Sequence, residues 1–285
     1  GEIIKWIGAY TDIHDQKTIS DKLEKLVVER TKELRRSNDD LQQFAHVASH
    51  DLKEPVRKIK TFTGRVKEEL SGQLNPKTEL YLAKIEKAAN RMYTMIDGVL
   101  LYSSVNAFQL AEEQVDLNAI IDDIKSDLEL IIGSKNATID ASNLPTLTGS
   151  PVLIYQLLYN LINNSLKFSK SAVPPIITVS SFEVDPNLKL KHSLPEDIGY
   201  YGIRIQDNGI GFEQKLSEVI FDTFSRLNSK DQFEGTGLGL ALCKKIVERH
   251  GGILYAQAEP EVGATFSVIL PVKLNDSQSN AQQRQ

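Results

Sequence analysis

Residues 150–169 read SPVLIYQLLYNLINNSLKFS, and the pattern inside them decides what kind of fold the chain can build. Ser150 suits a helix N-cap, and Pro151 suits the first helical position, where its missing N–H leaves no bond unmade. Asn160, Asn164 and Lys167 fall at i, i+4 and i+7, so they project from one helical face while apolar residues fill the opposite one. Neutral amide oxygens suit Mg²⁺, which keeps most of its waters and is shared with substrate phosphates, and an ammonium one turn on reaches those phosphates. The same residues also fit an ordinary solvated face.

Around this helix the texture is mixed α and β. DLNAIIDDIKSDLELII (116–132) reads as one helix, ATIDAS (137–142) as a strand, and PPIITVSSFEV (174–184) and YYGIRIQDNG (200–209) as strands flanking a polar connection, DPNLKLKHSLPEDIG. TGLGLALCKKIVERHGG reads as a helix ending at a glycine pair, and GILYAQAEP and GATFSVILPV as a closing hairpin. Helices and antiparallel strands in this order predict a two-layer α/β sandwich. Asp207 stands at a strand end before Gly209 and Gly211, where a carboxylate can accept from an exocyclic amine and glycines let backbone approach a flat ring. Gly235, Gly237 and Gly239 run into a helix, which offers free N–H groups to phosphate. Between the two glycine motifs, FEQKLSEVIFDTFSRLNSKDQFE reads as a mobile lid with Phe221 and Phe224 as an aromatic latch and Arg226 beside them.

Upstream the chain is helical. Ile19, Leu23, Leu26, Leu34, Leu41 and Phe44 keep a three-four rhythm that asks for a partner helix, with Arg30 and Ser37 on the same seam. The helix runs on through FAHVASHDLKEPVRKI (44–59) to Leu70, turns at SGQLNP, and returns from Lys77 to Ser103. One such hairpin has too little apolar surface for a closed core, so pairing into a dimeric four-helix bundle completes it. His46 and His50 lie four apart on this helix. Only His50 has an acid beside it, Asp51, and a proline soon after, Pro55, which frees the Asp51 carbonyl and predicts a bend below His50. His46 reads as a seam or surface histidine. His14, His192 and His250 need no function, and Cys243 reads as a small core residue.

With 33 Lys+Arg against 38 Asp+Glu, the charge of −5 gives no footprint for nucleic acid or an anionic membrane. A single cysteine excludes an internal disulfide framework and fits a reducing, cytoplasmic setting. No apolar run reaches the length of a membrane span, so no membrane contact is expected in this segment. NDSQSNAQQRQ at the end reads as a polar tail.

Taken in order, SHDLKEP, NLINNSLKF, DNGIGF, FDTFSRL and GTGLGL resemble the H, N, first glycine, F and second glycine boxes of the sensor histidine kinases. The resemblance covers roughly residues 18 to 273. It implies a multidomain chain in which a HisKA-type helical hairpin, dimerised as a four-helix bundle, precedes an α/β two-layer sandwich of the GHKL or Bergerat ATP-binding type. WIGAYTDIHDQK is similar to the last strand and exit motif of a PAS sensor domain. The expected divisions are the end of a truncated PAS-like domain (1–17), a coiled-coil signalling linker (18–44), a dimerisation and phosphotransfer domain (45–108), an ATP-binding domain (113–273) and a tail (274–285).

The resemblance implies that His50 accepts the γ-phosphoryl group of ATP and passes it to an aspartate of a response-regulator receiver, with Asp51 orienting or deprotonating the imidazole. Asn164 would be the principal Mg²⁺ ligand with Asn160 supporting it. Lys167 and Arg226 would contact phosphate, Asp207 would read the adenine amine, and Phe168 would pack on the adenine side. Gly209, Gly211, Gly235, Thr236, Gly237, Leu238 and Gly239 would shape pocket and lid. Family members with strong phosphatase activity often place Thr or Asn four residues after the histidine, and Glu54 departs from this. Two other readings compete: a signalling scaffold with a degenerate nucleotide domain, against which the intact boxes argue, and another GHKL ATPase such as a chaperone or mismatch-repair clamp, in which SHDLKEP has no place.

Overall fold

The computed structural model describes residues 14–105, 113–141, 143–227 and 235–272. The chain divides into two units, residues 1–48 and 49–285. The described part of the first is the beginning of one long helix, α1 (His14–Glu69). Leu23, Leu26, Val27 and Val28 on it are 49 to 63% exposed, which leaves an apolar stripe uncovered by this chain. The PAS-like strand and the polar tail lie outside the described residues.

The second unit opens with the rest of α1, which stays helical through Pro55, and α2 (Pro76–Ser104). Asn75 caps α2 by accepting the Thr78 N–H at 2.9 Å, and Pro76 takes the first helical position. Lys53 pairs with Asp97, and Lys67 lies 3.8 Å from Glu86, which fixes the two helices antiparallel. Their own core is small. Val56, Ala89 and Ile96 are buried with Tyr93 against them, whereas Leu52, Ile59, Phe62, Leu80, Ile85 and Met92 stay exposed. At about 1.5–3 kcal/mol for each large apolar side chain buried, this face is a strong drive to associate.

The remainder is the α/β layer pair. A two-stranded sheet joins β1 (Glu113–Asp116) to β3 (Thr146–Gly149), and a five-stranded sheet takes the order β2-β4-β5-β7-β6. Its strands are β2 (Thr138–Ala141), β4 (Ile176–Glu183), β5 (Tyr200–Asp207), β6 (Ile253–Glu259) and β7 (Gly263–Pro271). On one face lies α5 (Pro151–Lys167), burying Leu153, Leu157, Leu161, Ile162 and Leu166, and beside it α7 (Gly239–Arg249), burying Leu242, Cys243 and Ile246. Ile177, Ile203, Ile205, Phe266 and Val268 complete the core from the sheet, as strand alternation requires. Burial pushes the Cys243 thiol far up, which suits a core residue rather than a nucleophile.

Several expectations are corrected. The stretch 116–132 forms two helices, α3 (Leu117–Asp127) and α4 (Glu129–Lys135), because the chain breaks at Leu128, which stays buried in the core. The sheet is mixed, since β2 pairs parallel with β4. The polar connection contains a short helix, α6 (Pro186–Lys191), capped by Asp185, and sets the His192 ring on Tyr255 with centroids 4.9 Å apart. Ser150 is the N-cap of α5 but makes no side-chain cap bond. Its N–H instead donates to His250 Nε2 at 3.3 Å, while His250 Nδ1, which must then carry the proton, donates to the Ile246 carbonyl at 2.8 Å. His250 is thus a buried strut between the end of α7 and the start of α5, with Gly149 making room for its ring.

Replacing this strut leaves a void and an unmet Ser150 N–H. His250→Ala is expected to destabilise the ATP-binding layers by about 2–4 kcal/mol, seen as a lower urea midpoint at unchanged slope.

Candidate active site

Asp207 ends β5 and lines a cavity of 680 Å³. Its Oδ1 accepts the Gly209 N–H at 2.9 Å and the Ala264 N–H at 3.1 Å, and its Oδ2 accepts from Ser165 Oγ at 2.9 Å. Burial pushes the carboxyl above the usual carboxylate range, and these three hydrogen bonds pull the other way. The backbone closes tightly underneath. Ile210 N–H donates to the Phe168 carbonyl at 3.0 Å and Glu261 N–H to the Ile210 carbonyl at 2.8 Å, so the end of α5, the glycine loop and the β6–β7 turn are tied together. A Cβ on Gly211, where φ is +60°, would lie 2.0 Å from the Glu259 carbonyl oxygen.

The cavity changes character along its length. Its apolar lining includes Ile210, Phe212, Ile220 and Phe266, with Ile210 just after Asp207 in the chain and Phe266 on the neighbouring strand, and together they form an apolar slot. Toward α5 and α7 it is lined by Asn160, Asn164, Lys167, Gly235, Thr236, Gly237 and Gly239, and Arg226 and Phe168 also line it. A Cβ on Gly235 would come within 2.5 Å of Lys167 Nζ, so the ammonium lies against the second glycine loop. Asn160 Nδ2 is buried without a hydrogen-bond partner, the mark of a site that an absent polar group completes; a half-turn of the amide would present its oxygen instead. These residues fit a metal–polyphosphate group.

Two expected pocket residues do not line it. Gly209 works beneath Asp207, where a Cβ would strike the Phe168 carbonyl at 2.6 Å, and Leu238 is buried and meets Gly98 of α2 instead. The latch also differs from the reading as an aromatic pair. Phe221 is buried, but the Phe224 side chain is 55% exposed, and the closure there is the Phe224 N–H donating to the Gly237 carbonyl at 2.9 Å. The middle of the expected lid, residues 228–234, lies outside the described residues. Ile210 and Phe212 sit inside DNGIGF and Phe266 on a strand, yet as walls of the slot they, like Ile220, carried no sequence signal of their own. Nor did Glu86, Lys87, Asn90 and Arg91 of α2, which line the cavity's open side.

His50 and Asp51 stand apart from the cavity, on α1. Both side chains are exposed, at 77 and 75%, and His50 Nδ1 lies 3.4 Å from Asp51 Oδ1. A proton on Nδ1 pointed at that carboxylate leaves Nε2 with its lone pair outward. Glu54 is held by Lys58 at 2.8 Å, and this pairing lowers its pKa.

A helical hairpin bearing an exposed histidine, followed by a sandwich with an asparagine-lined, glycine-lidded cavity, defines a phosphoacceptor module joined to an ATP-binding module. The His Kinase A (phospho-acceptor) domain matches residues 40–108, and the histidine kinase-, DNA gyrase B-, and HSP90-like ATPase matches residues 149–274. The chain thus joins a member of the His Kinase A (phospho-acceptor) domain family to a member of the histidine kinase-, DNA gyrase B-, and HSP90-like ATPase family. It is 33% identical over 240 residues to Cyanobacterial phytochrome A of Nostoc sp., covering 84% of this chain and 30% of that protein. It is 27% identical over 244 residues to the methanogenesis regulatory histidine kinase FilI of Methanothrix harundinacea, covering 85% of this chain and 26% of that one. It therefore spans under a third of these curated relatives. The fold is similar to that of full-length ShkA in complex with AMPPNP, with TM-score 0.60 and 19% identity over 81% of this chain and 46% of that one. It is also similar to Acinetobacter baumannii AdeS, with TM-score 0.52 and 18% identity over 79% of this chain and 98% of that one.

The tie beneath Asp207 tolerates no side chain. Gly211→Ala combines left-handed strain with a backbone clash and is expected to cost about 2–5 kcal/mol, lowering the melting temperature of the ATP-binding layers and abolishing nucleotide binding in a calorimetric titration.

Proposed function

We propose that this chain is the transmitter portion of an ATP-dependent protein-histidine kinase: His50 takes the γ-phosphoryl group of ATP and passes it to an aspartate of a response-regulator receiver domain. The observation that carries the reading is the conjunction of one exposed histidine with an acid at its Nδ1 and a cavity that is apolar at Asp207 and amide-, lysine- and glycine-lined at the other end. Asp207 would accept an N–H of the adenine amine. Asn164, with Asn160, would hold Mg²⁺, which when bound neutralises charge on the phosphates. Lys167 and Arg226 would hold phosphate oxygens, Phe168 would pack beside the base, and Gly235, Thr236, Gly237 and Gly239 would bring backbone N–H groups to the phosphates. Asp51 would hold the Nδ1 proton so that Nε2 attacks.

The exposed apolar face of α1 and α2 supports a homodimer closed as a four-helix bundle. We assign residues 1–17 to the end of a PAS-like sensor, 18–44 to a coiled-coil linker, 45–108 to phosphotransfer, 113–273 to ATP binding and 274–285 to a tail. Among the described residues no helix is long and apolar enough to cross a membrane.

Transfer needs movement. The Lys53–Asp97 and Lys67–Glu86 pairs put His50 level with about residue 100 of α2, whereas the cavity faces Ala83 to Thr94. At 1.5 Å per residue the offset along the hairpin is roughly 10–25 Å.

Incubation with γ-labelled ATP and Mg²⁺ is expected to leave an acid-labile, alkali-stable label on the protein, abolished in His50→Ala and kept in His46→Ala. Absence of label from a wild-type chain that still binds ATP would favour a scaffold. A second expectation follows from the raised pKa of Asp207. The ionised carboxylate is the stronger acceptor for the amine, a protonated one accepting only as a neutral carbonyl, so preference for ATP over its 6-deamino analogue, whose phosphates titrate alike, is fullest above that pKa. It decays as pH falls, at a higher pH than an ordinary aspartate would give. In Asp207→Asn the preference should be weak and flat with pH.

A further inference from the structure

Ser165 is buried on the sheet-facing side of α5, one residue past Asn164, and its hydroxyl does something unusual for a serine inside a helix. Such hydroxyls commonly bond back to the carbonyl one turn earlier. This one reaches across to the sheet and meets Asp207 Oδ2 at 2.9 Å. An ionised carboxylate only accepts, so Ser165 must be the donor. The four acceptor positions of Asp207 can then be counted: Oδ1 is filled by the N–H groups of Gly209 and Ala264, and one position on Oδ2 by Ser165. One remains, on Oδ2 of a residue that lines the cavity.

We propose that Ser165 is a positioning residue for nucleobase selection: by occupying one side of Asp207 Oδ2 it fixes the carboxylate plane and leaves a single acceptor, matched to the exocyclic amine of a 6-aminopurine and closed to the carbonyl of a 6-oxopurine. The inference rests on the reading of the cavity as an ATP site with Asp207 at the base. Without the hydroxyl the carboxylate keeps its two backbone donors but can turn about its Cβ–Cγ bond or take up water on Oδ2. Either change blurs the single direction from which an amine N–H is met. The hydroxyl acts only through Asp207, so its loss should weaken ligands that carry the amine and spare those that lack it.

The test uses the full chain with Mg²⁺ and measures dissociation constants for ATP, GTP and purine riboside triphosphate, the 6-deamino analogue, in wild type, Ser165→Ala, Ser165→Thr and Asp207→Asn. Alanine is a better helix former than serine, so Ser165→Ala should fold, which circular dichroism verifies. Ser165→Ala is expected to weaken ATP about tenfold, the usual worth of a hydrogen bond to a charged group. The 6-deamino analogue should change less than about twofold, so that the ATP preference collapses, and the ATP-to-GTP ratio should fall with it. Ser165→Thr, which keeps the hydroxyl, should retain the preference. Equal weakening of all three nucleotides in Ser165→Ala, or no weakening of any, overturns the role of Ser165, provided Asp207→Asn has lost the preference. If wild type binds the 6-deamino analogue as well as ATP, or Asp207→Asn keeps the preference, the reading of Asp207 fails and takes that of Ser165 with it.

Discussion

A carboxylate facing an apolar slot is an expensive thing to bury, and the architecture of the ATP-binding layers follows from how Asp207 is made tolerable. Desolvation pushes its pKa up, and three hydrogen bonds from three separate segments answer that cost: Gly209 of the loop after β5, Ala264 of β7 and Ser165 of α5. Bringing three segments within reach of one side chain requires backbone to pass backbone at distances no Cβ allows. Gly209 against the Phe168 carbonyl, Gly211 against Glu259 and Gly263 against the carbonyl of Asp207 itself are those passages. The end of α5 cannot shift without moving Phe168, and the β6–β7 turn cannot shift without releasing Ile210. One buried charge thus sets the register between helix layer and sheet.

The same helix serves both ends of the cavity. Ser165 lies on its buried side and holds the group that would read a base, while Asn160, Asn164 and Lys167 face the cavity where phosphates would lie. Because these positions are fixed on one rigid cylinder, the distance between base reader and metal ligands is set by helix geometry and not by loop conformation. The second glycine loop supplies the adjustable part. Its hold on the preceding segment is a backbone hydrogen bond from Phe224 to Gly237, not aromatic packing, and Lys167 lies against Gly235.

Much of this was legible in the sequence because it rests on local periodicity. The α5 stripe, the hairpin with its small core, the strands 176–183 and 200–207 and the glycine motifs announce themselves by spacing alone. What was not legible depends on tertiary contact. The break at Leu128 has no Gly or Pro to signal it, and β1 and β3 hold to the fold by pairing with each other across about thirty residues of chain, which no local pattern shows. Nothing near His250 in the chain points to Ser150, one hundred residues away, and so a histidine that looked idle is a buried strut. Ser165 is likewise silent in sequence, since its partner is contributed by another layer.

On the proposed reading, His50 must meet two partners in turn, a nucleotide and then an aspartate on another protein, and both need its Nε2. That demand explains its exposure. A histidine built into the nucleotide cavity would be well placed for the first step and sterically shut to the second, whereas one standing on an open helix is available to both, provided the ATP-binding layers travel along the hairpin to reach it. The surroundings of His50 bear on the second step as well. Asp51 lies at its Nδ1, and Glu54 stands one turn on, its negative charge kept by Lys58. A phosphoryl group arriving beside these two carboxylates meets like charge, screened by solvent but not removed. Of the cations within two turns, Lys53 is engaged with Asp97 and Lys58 with Glu54. A phosphohistidine placed there is held exposed beside the Asp51 carboxylate, which favours its surrender to an incoming acceptor over its retention.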